Sequence, residues 1–137
     1  MSGETVTSFN SLQFTNDNKH CQALSGVVDT AGQNVEVNML KFNTQSEYVK
    51  SIMTFSNGSG SGDDVRYYVY FNNVIVAQQY STGGTAEIID RPLHLIIPPF
   101  TEVKVSMTNL SSSNARANTA IIMGEAFMTN RVGNLDE

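Results

Sequence analysis

This 137-residue chain has no tryptophan, one cysteine, two histidines and three prolines, and only 15% of its residues are charged. Each shortage excludes something. The lone Cys21 cannot close an internal disulfide, so stability has to come from burial or from association with other chains. Eight basic residues against thirteen acidic ones give a net charge of −5, the wrong sign for neutralising phosphates, so nucleic acid is not an expected partner. The longest apolar stretch, Leu93 to Phe100, is interrupted by His94, Pro98 and Pro99 and falls far short of the ~20 residues of a spanning helix, so no membrane segment is expected. The opening Met1-Ser2-Gly3-Glu4-Thr5 shows no cationic stretch followed by an apolar run, and no secretory signal is read there.

Catalytic sets are equally scarce. A hydrolytic triad needs a base, and His20 and His94 have no suitable neighbours in sequence; alternation points His94 away from the core between Leu93 and Leu95. His20 beside Cys21 falls short of the three or four ligands of a zinc site. Asp63-Asp64 lacks the spaced oxygens of a calcium loop, and Gly58, Gly60 and Gly62 have neither the lysine nor the helix of a phosphate loop. No enzymatic activity, cofactor or metal is therefore expected. The sequons Asn57-Gly58-Ser59 and Asn109-Leu110-Ser111 are chance products of a composition rich in these residues.

What is abundant is amide and hydroxyl: 14 Asn, 14 Ser and 12 Thr make up 40 of the 137 residues. That surface disfavours long helices and suits strands joined by turns. Val35, Val37 and Met39 alternate with polar residues, and the pattern then slips to Leu40 and Phe42, as a β-bulge produces. Tyr48 to Phe55 carries some helical spacing but reads as a strand, being short, β-favouring and followed by a Gly/Ser loop. Val65 to Phe71 and Val74 to Tyr80, split by Asn72-Asn73, predict a tight hairpin. Regular pairing would put Val65, Tyr67, Val69, Phe71, Val74, Val76 and Tyr80 on its core face, with Gln78 a polar exception. Further strands are expected to end at Pro98-Pro99, over Val103 to Met107, and over Thr119 to Thr129. About seven or eight short strands at this spacing predict an all-β, antiparallel sandwich or barrel.

The expected organisation is an extended arm over 1–20, a β-sandwich domain over 21–130 and a C-terminal tail over 131–137. In the arm, Val6, Phe9, Leu12 and Phe14 stand scattered in a polar background, as anchors docking on a neighbour would. Two patches look too apolar for a free surface. Tyr68, Tyr70 and Ile75 lie with Arg66 on the second hairpin face, and Ile121, Met123 and Phe127, sharing a parity with Glu125, make one face of a last strand whose other face is apolar too. Both are expected interfaces, the second with another copy of the chain.

Ile52-Met53-Thr54-Phe55-Ser56-Asn57, the hairpin Tyr67 to Val76, and Pro92-Leu93-His94-Leu95-Ile96-Ile97-Pro98-Pro99-Phe100-Thr101-Glu102-Val103-Lys104-Val105 together resemble the small β-sandwich virion proteins of tailed bacteriophages. The resemblance covers roughly residues 48 to 128. It implies a jelly-roll-like capsid decoration or cement protein, commonly a homotrimer, seated on the major capsid protein. Such a protein has no enzymatic activity and is found on the capsid surface, after assembly in the host cytoplasm. No family functional residue maps onto this chain, because the shared positions are core positions. The alternative is a carbohydrate-binding sandwich or fibre tip using Tyr68, Tyr70, Asn72 and Gln79 against a glycan; the absence of tryptophan counts against it.

Overall fold

The structure is a computed structural model that describes residues 12–17, 19–57, 63–82, 87–88 and 92–128, with the backbone alone for 87–88. The described residues form eleven strands: β1 (Gln13–Phe14), β2 (His20–Leu24), β3 (Val28–Asp29), β4 (Glu36–Asn43), β5 (Tyr48–Asn57), β6 (Val65–Phe71), β7 (Val74–Ser81), β8 (Glu87–Ile88), β9 (Leu93–Ile97), β10 (Glu102–Asn109) and β11 (Ala117–Phe127). There is no helix among the described residues. Leaving aside the two-residue strands β1, β3 and β8, eight remain. They pair antiparallel as β2 with β11, β4 with β10, β5 with β9 and β6 with β7. First meets last, second meets second-to-last, and so inward, which is a long hairpin rolled upon itself. The result is a jelly roll of two sheets, β2-β11-β5-β9 and β4-β10-β6-β7.

The core lies between the sheets. Met39, Leu40, Phe42, Val49, Met53, Phe55, Val65, Tyr67, Val69, Val103, Val105, Met107 and Ile122 are all at most 2% exposed. The Phe55 and Tyr67 rings stack across the interlayer at 4.8 Å. The expected bulge in β4 is present: Val105 faces Leu40 while Ser106 faces Asn38, leaving Met39 as the extra residue. A bulge turns two successive side chains inward, and both Met39 and Leu40 are fully buried. Gly124 packs where β11 crosses closest to its neighbours; a Cβ there would meet Val49 Cγ1 at 2.7 Å and Cys21 Sγ at 3.3 Å.

Two expectations are corrected. The turn residues Asn72 and Asn73 do adopt positive φ, 51° and 69°, but a bulge shifts the hairpin register so that Val69 faces Ala77, Tyr67 faces Gln79 and Val65 faces Ser81. Val76 is the extra residue, and Val74, Val76 and Tyr80 are 63%, 43% and 45% exposed instead of lying in the core. The arm, too, is shorter than 1–20. Leu12 packs on the core, β1 pairs with β2, and His20 already belongs to β2. Pairing with β2 makes Gln13 and Phe14 part of the sheet edge, whereas Val6 and Phe9 lie outside the described residues.

A polar knot closes one end of the sandwich. Asp63, with its side chain 12% exposed, accepts hydrogen bonds from Arg116 Nε at 2.6 Å, Ser112 Oγ at 2.7 Å and Asn109 Nδ2 at 3.2 Å. Asn118 Nδ2 donates to the Arg116 carbonyl at 2.9 Å, and its Oδ1 accepts from the buried Tyr67 hydroxyl at 2.5 Å. The Ser112, Arg116 and Asn109 donors hold the Asp63 carboxyl down at about 2, from an ordinary 3.8.

Two predictions follow from this packing. A carboxyl depressed in the folded state adds stability above its unfolded pKa and loses it as pH falls through the folded one. The melting temperature should therefore fall as pH drops from about 3.8 towards about 2, and Asp63→Asn should melt lower at neutral pH and change less over that window. An Asp63→Asn curve parallel to wild type would contradict the assignment. Gly124→Ala should cost about 1–3 kcal/mol in denaturant unfolding, since the added methyl has to displace Val49 inside the core.

Candidate functional site: the outer face of the β11 sheet

Alternation sends every second side chain of β2, β11, β5 and β9 away from the core, and register groups them in rows. Leu24 sits opposite Ile121, Gln22 opposite Met123, Met123 opposite Ile52 and Ile52 opposite His94; one row further, His20 faces Glu125, Glu125 faces Lys50 and Lys50 faces Ile96. Leu24, Ile52, Ile121, Met123 and Ile96 are 40–58% exposed. Phe127 stacks on Tyr48 at 5.5 Å at the end of the face. An open depression of about 550 Å³ lies among them, lined by Lys50, Ile52, His94, Ile96, Met123 and Glu125. A charged row crosses the face between Met123 and Phe127: Glu125 lies between His20 and Lys50, Lys19 Nζ is 3.1 Å from Glu125, and the Lys19 hydrogen bond holds the Glu125 carboxyl below its usual range.

The outer face of the other sheet is different in kind. Tyr70 donates to Glu36 Oε2 at 2.6 Å, Ser106 donates to the same oxygen, and Lys104 Nζ lies 4.2 Å from the Tyr70 ring centroid. Burial pushes the Glu36 carboxyl upward, but the Ser106 and Tyr70 bonds and the Lys104 charge outweigh it and hold it below its usual range. Tyr80 donates to Asp64 at 2.9 Å beneath the Arg66 guanidinium. This face answers its own polar groups.

The six residues expected at interfaces are thus separated by the thickness of the sandwich. Ile121, Met123 and Phe127 lie together on the β11 face, Tyr68 and Tyr70 are half-buried in the web on the opposite face, and Ile75 stands on strand β7, 45% exposed. Sequence reading missed Ile52, Ile96 and Leu24, which complete the apolar face; the alternation signal was present, but only register shows which strands adjoin. Of the arm residues, Phe14 is 43% exposed on β1 and Leu12 faces the core. Among the glycan candidates Gln79 pairs opposite the fully buried Tyr67, while Asn72 Oδ1 is engaged by the Glu102 amide.

The weighed metal and sequon signals have structural readings. His20 and Cys21 project to opposite sides of β2: His20 is exposed and bonded to Asp17 at 3.0 Å, whereas Cys21 is buried, and burial pushes its thiol up to about 11. Asp63 is surrounded by donors, the wrong partners for a cation. Asn57 and Asn109, the two sequon residues, are 4% and 0% exposed. One outlier lies at the far end. Phe100 has φ of 53° and is 73% exposed, held there by its own amide bonding to the Gln45 carbonyl at 2.8 Å and by the Thr44–Thr101 pair.

No family model matches the sequence, and no curated protein matches it. Among solved structures, the chain is similar to that of an infectious bursal disease virus Gx strain particle, with a TM-score of 0.53 and 12% identity over 81% of this chain and 33% of that one. It is similar to the VP2 subviral particle of infectious bursal disease virus with a TM-score of 0.53 and 13% identity over 85% and 35%. A carbohydrate-binding module, CBM35 from Paenibacillus barcinonensis, aligns with a TM-score of 0.44 and 11% identity over 74% and 96%. The chain spans about a third of the length of the capsid chains, and at these identities the likeness is one of fold: a capsid-like antiparallel β-sandwich.

Proposed function

We propose that this chain is a non-enzymatic structural protein of a virion, a capsid decoration protein that associates with itself, as a homotrimer, and binds a major capsid protein. The observation that carries the reading is the apolar outer face of the β11 sheet. Leu24, Ile52, Ile121 and Met123 form an exposed apolar patch, with Ile96 beside Lys50 at its edge, the kind of surface that marks a site of association. Burying it yields about 25 cal/mol per Å² of apolar area, and the row of Glu125 and Lys50 that separates it from Phe127 sets the polar contacts a second copy would have to meet. The capsid-like sandwich and the resemblance of residues 48 to 128 to phage virion proteins support the viral half of the proposal by analogy of fold. The arm ahead of Leu12, with Val6 and Phe9, is the proposed second contact with a capsid or a neighbouring subunit.

The purified chain should sediment as a trimer, or as a multiple of one, at micromolar concentration. Met123→Asp and Phe127→Asp should each weaken the trimer at least about 100-fold, because a carboxylate buried without a partner costs several kcal/mol. A wild-type chain that stays monomeric overturns the trimer. Incubation with undecorated phage capsids and with a glycan panel separates the two function classes: capsid binding supports the proposal, and glycan binding alone replaces it with the carbohydrate-binding reading.

The arm has its own test. Deleting residues 2–11 should leave the melting temperature within about 2 °C while weakening capsid attachment. Deleting 2–18 should lower it clearly, since that removes Leu12 and the β1–β2 pairing. Full attachment without residues 2–11 would end the docking role.

A further inference from the structure

We infer that strand β7 is a second self-association surface, at which two copies of the chain pair edge to edge and join their β4-β10-β6-β7 sheets into one. The inference goes beyond the β11-face trimer and does not depend on it. Among the described residues β7 pairs only with β6, so its other edge presents unpaired backbone N–H and C=O groups. Folded proteins guard such edges with charge, proline or brevity. The sandwich guards the others. Strand β4 carries Glu36 and Lys41, the latter 3.4 Å from Glu102. Strand β9 has five residues and runs into Pro98-Pro99, and β1 has two. Strand β7 reads Val-Ile-Val-Ala-Gln-Gln-Tyr-Ser over eight residues with no lysine, arginine, aspartate, glutamate or proline.

The register bulge leaves Val74, Ile75 and Val76 consecutively exposed at 63%, 45% and 43%. It sits near one end, so Ala77–Ser81 keep regular pairing with β6. A bulge can itself turn an edge away, but this one leaves five regular residues and adds apolar surface beside them.

The occupant that fits is a second copy. A two-fold axis brings a strand against itself, so any charge it carried would approach its own like. Strand β7 has none to oppose, although the chain as a whole carries −5. The two strands match in length, and the β-branched side chains that propagate a sheet are those left uncovered. Residues 2–11 of a neighbouring chain are the competing occupant, because that segment also carries β-favouring Thr5, Val6, Thr7 and Phe9.

The test is a four-way sedimentation series with wild type, the double variant Val74→Lys/Val76→Lys, the face variant Met123→Asp, and all three substitutions together. Both lysines replace exposed side chains, so melting temperature should stay near wild type and show that folding is intact. Met123→Asp should still form dimers, the double-lysine variant should stop at the trimer, and the two lysines added to Met123→Asp should raise the dimer dissociation constant at least about tenfold. A Met123→Asp chain that is monomeric at micromolar concentration overturns the edge pairing while leaving the face proposal standing. Loss of the dimer on deleting residues 2–11, with rescue by the matching peptide, overturns it in favour of the arm. Hydrogen exchange gives a second readout without substitution: the outward amides of Val74–Ser81 should gain protection as protein concentration rises, and protection independent of concentration overturns the pairing.

Discussion

A carboxylate can stand at the rim of an apolar core only if its charge is met, and much of this sandwich is arranged around meeting that of Asp63. Arg116, Ser112 and Asn109 converge on it from the β10–β11 connection and the end of β10, while Asp63 itself leads into β6. Arg116 in turn accepts from Asn118 through its carbonyl, and Asn118 accepts from Tyr67, whose ring stacks on Phe55 of the opposite sheet. The chain of contacts therefore runs from a loop charge to the centre of the core. A buried ion pair adds little net stability over apolar packing, but removing one partner strands the other. Its effect here is placement: it fixes the end of β10 and the start of β11, and so the register in which β11 meets β5 and β2.

That register decides what the outside looks like. Once Asn118 is held opposite Asn57 and Phe127 opposite Tyr48, Ile121 and Met123 have to fall beside Thr54 and Ile52, and strand pairing on the other edges adds Leu24 and Ile96. The patch is thus a consequence of core geometry together with a sequence that supplied apolar residues to both parities of β11. A monomer with no use for the outer face would lose nothing in folding by making it polar, as the opposite sheet does with Glu36, Lys104 and Ser106.

The legible parts of the fold were those governed by local pattern. Alternation, the Asn72-Asn73 turn and the proline pair suffice for an all-β sandwich, and the parity slip at Met39–Leu40 marks a bulge directly because both residues are apolar. The bulge at Val76 left a fainter trace. Gln78 was the polar residue out of place on an otherwise apolar face, and shifting the register by one moves it outward and puts Ala77 in its stead; in that strand nearly every residue near the turn is apolar, so pattern alone could not locate the extra one. Leu12 was misread for a similar reason: a two-residue strand has no periodicity to read. The site was half legible. Ile121, Met123 and Phe127 stand out within one strand, but Ile52 and Ile96 become their neighbours only through pairings between distant segments. Tyr70, which looks like an interface residue in sequence, is held by Glu36 and Lys104, each 34 positions away, and Tyr68 lies beside it with ring centroids 6.4 Å apart.

The distribution of charge explains why association would use the apolar surfaces rather than the polar ones. Several of the charged side chains away from the β11 face are engaged within the molecule: Asp63 with Arg116, Glu102 with Lys41, Glu36 under Tyr70 and Ser106. Covering one of these pairs with a second copy would strip water from both partners without offering a new one, which costs more than it returns. Between copies that each carry −5, long-range repulsion is short in salt, with a screening length of about 8 Å at physiological ionic strength, so what decides is the surface brought into contact. Ile121 and Met123 on the face and Val74 to Val76 at the edge carry no charge to desolvate, and they lie on different sheets. Under the two proposals above, a subunit with two such surfaces closes a small ring through one and joins rings through the other.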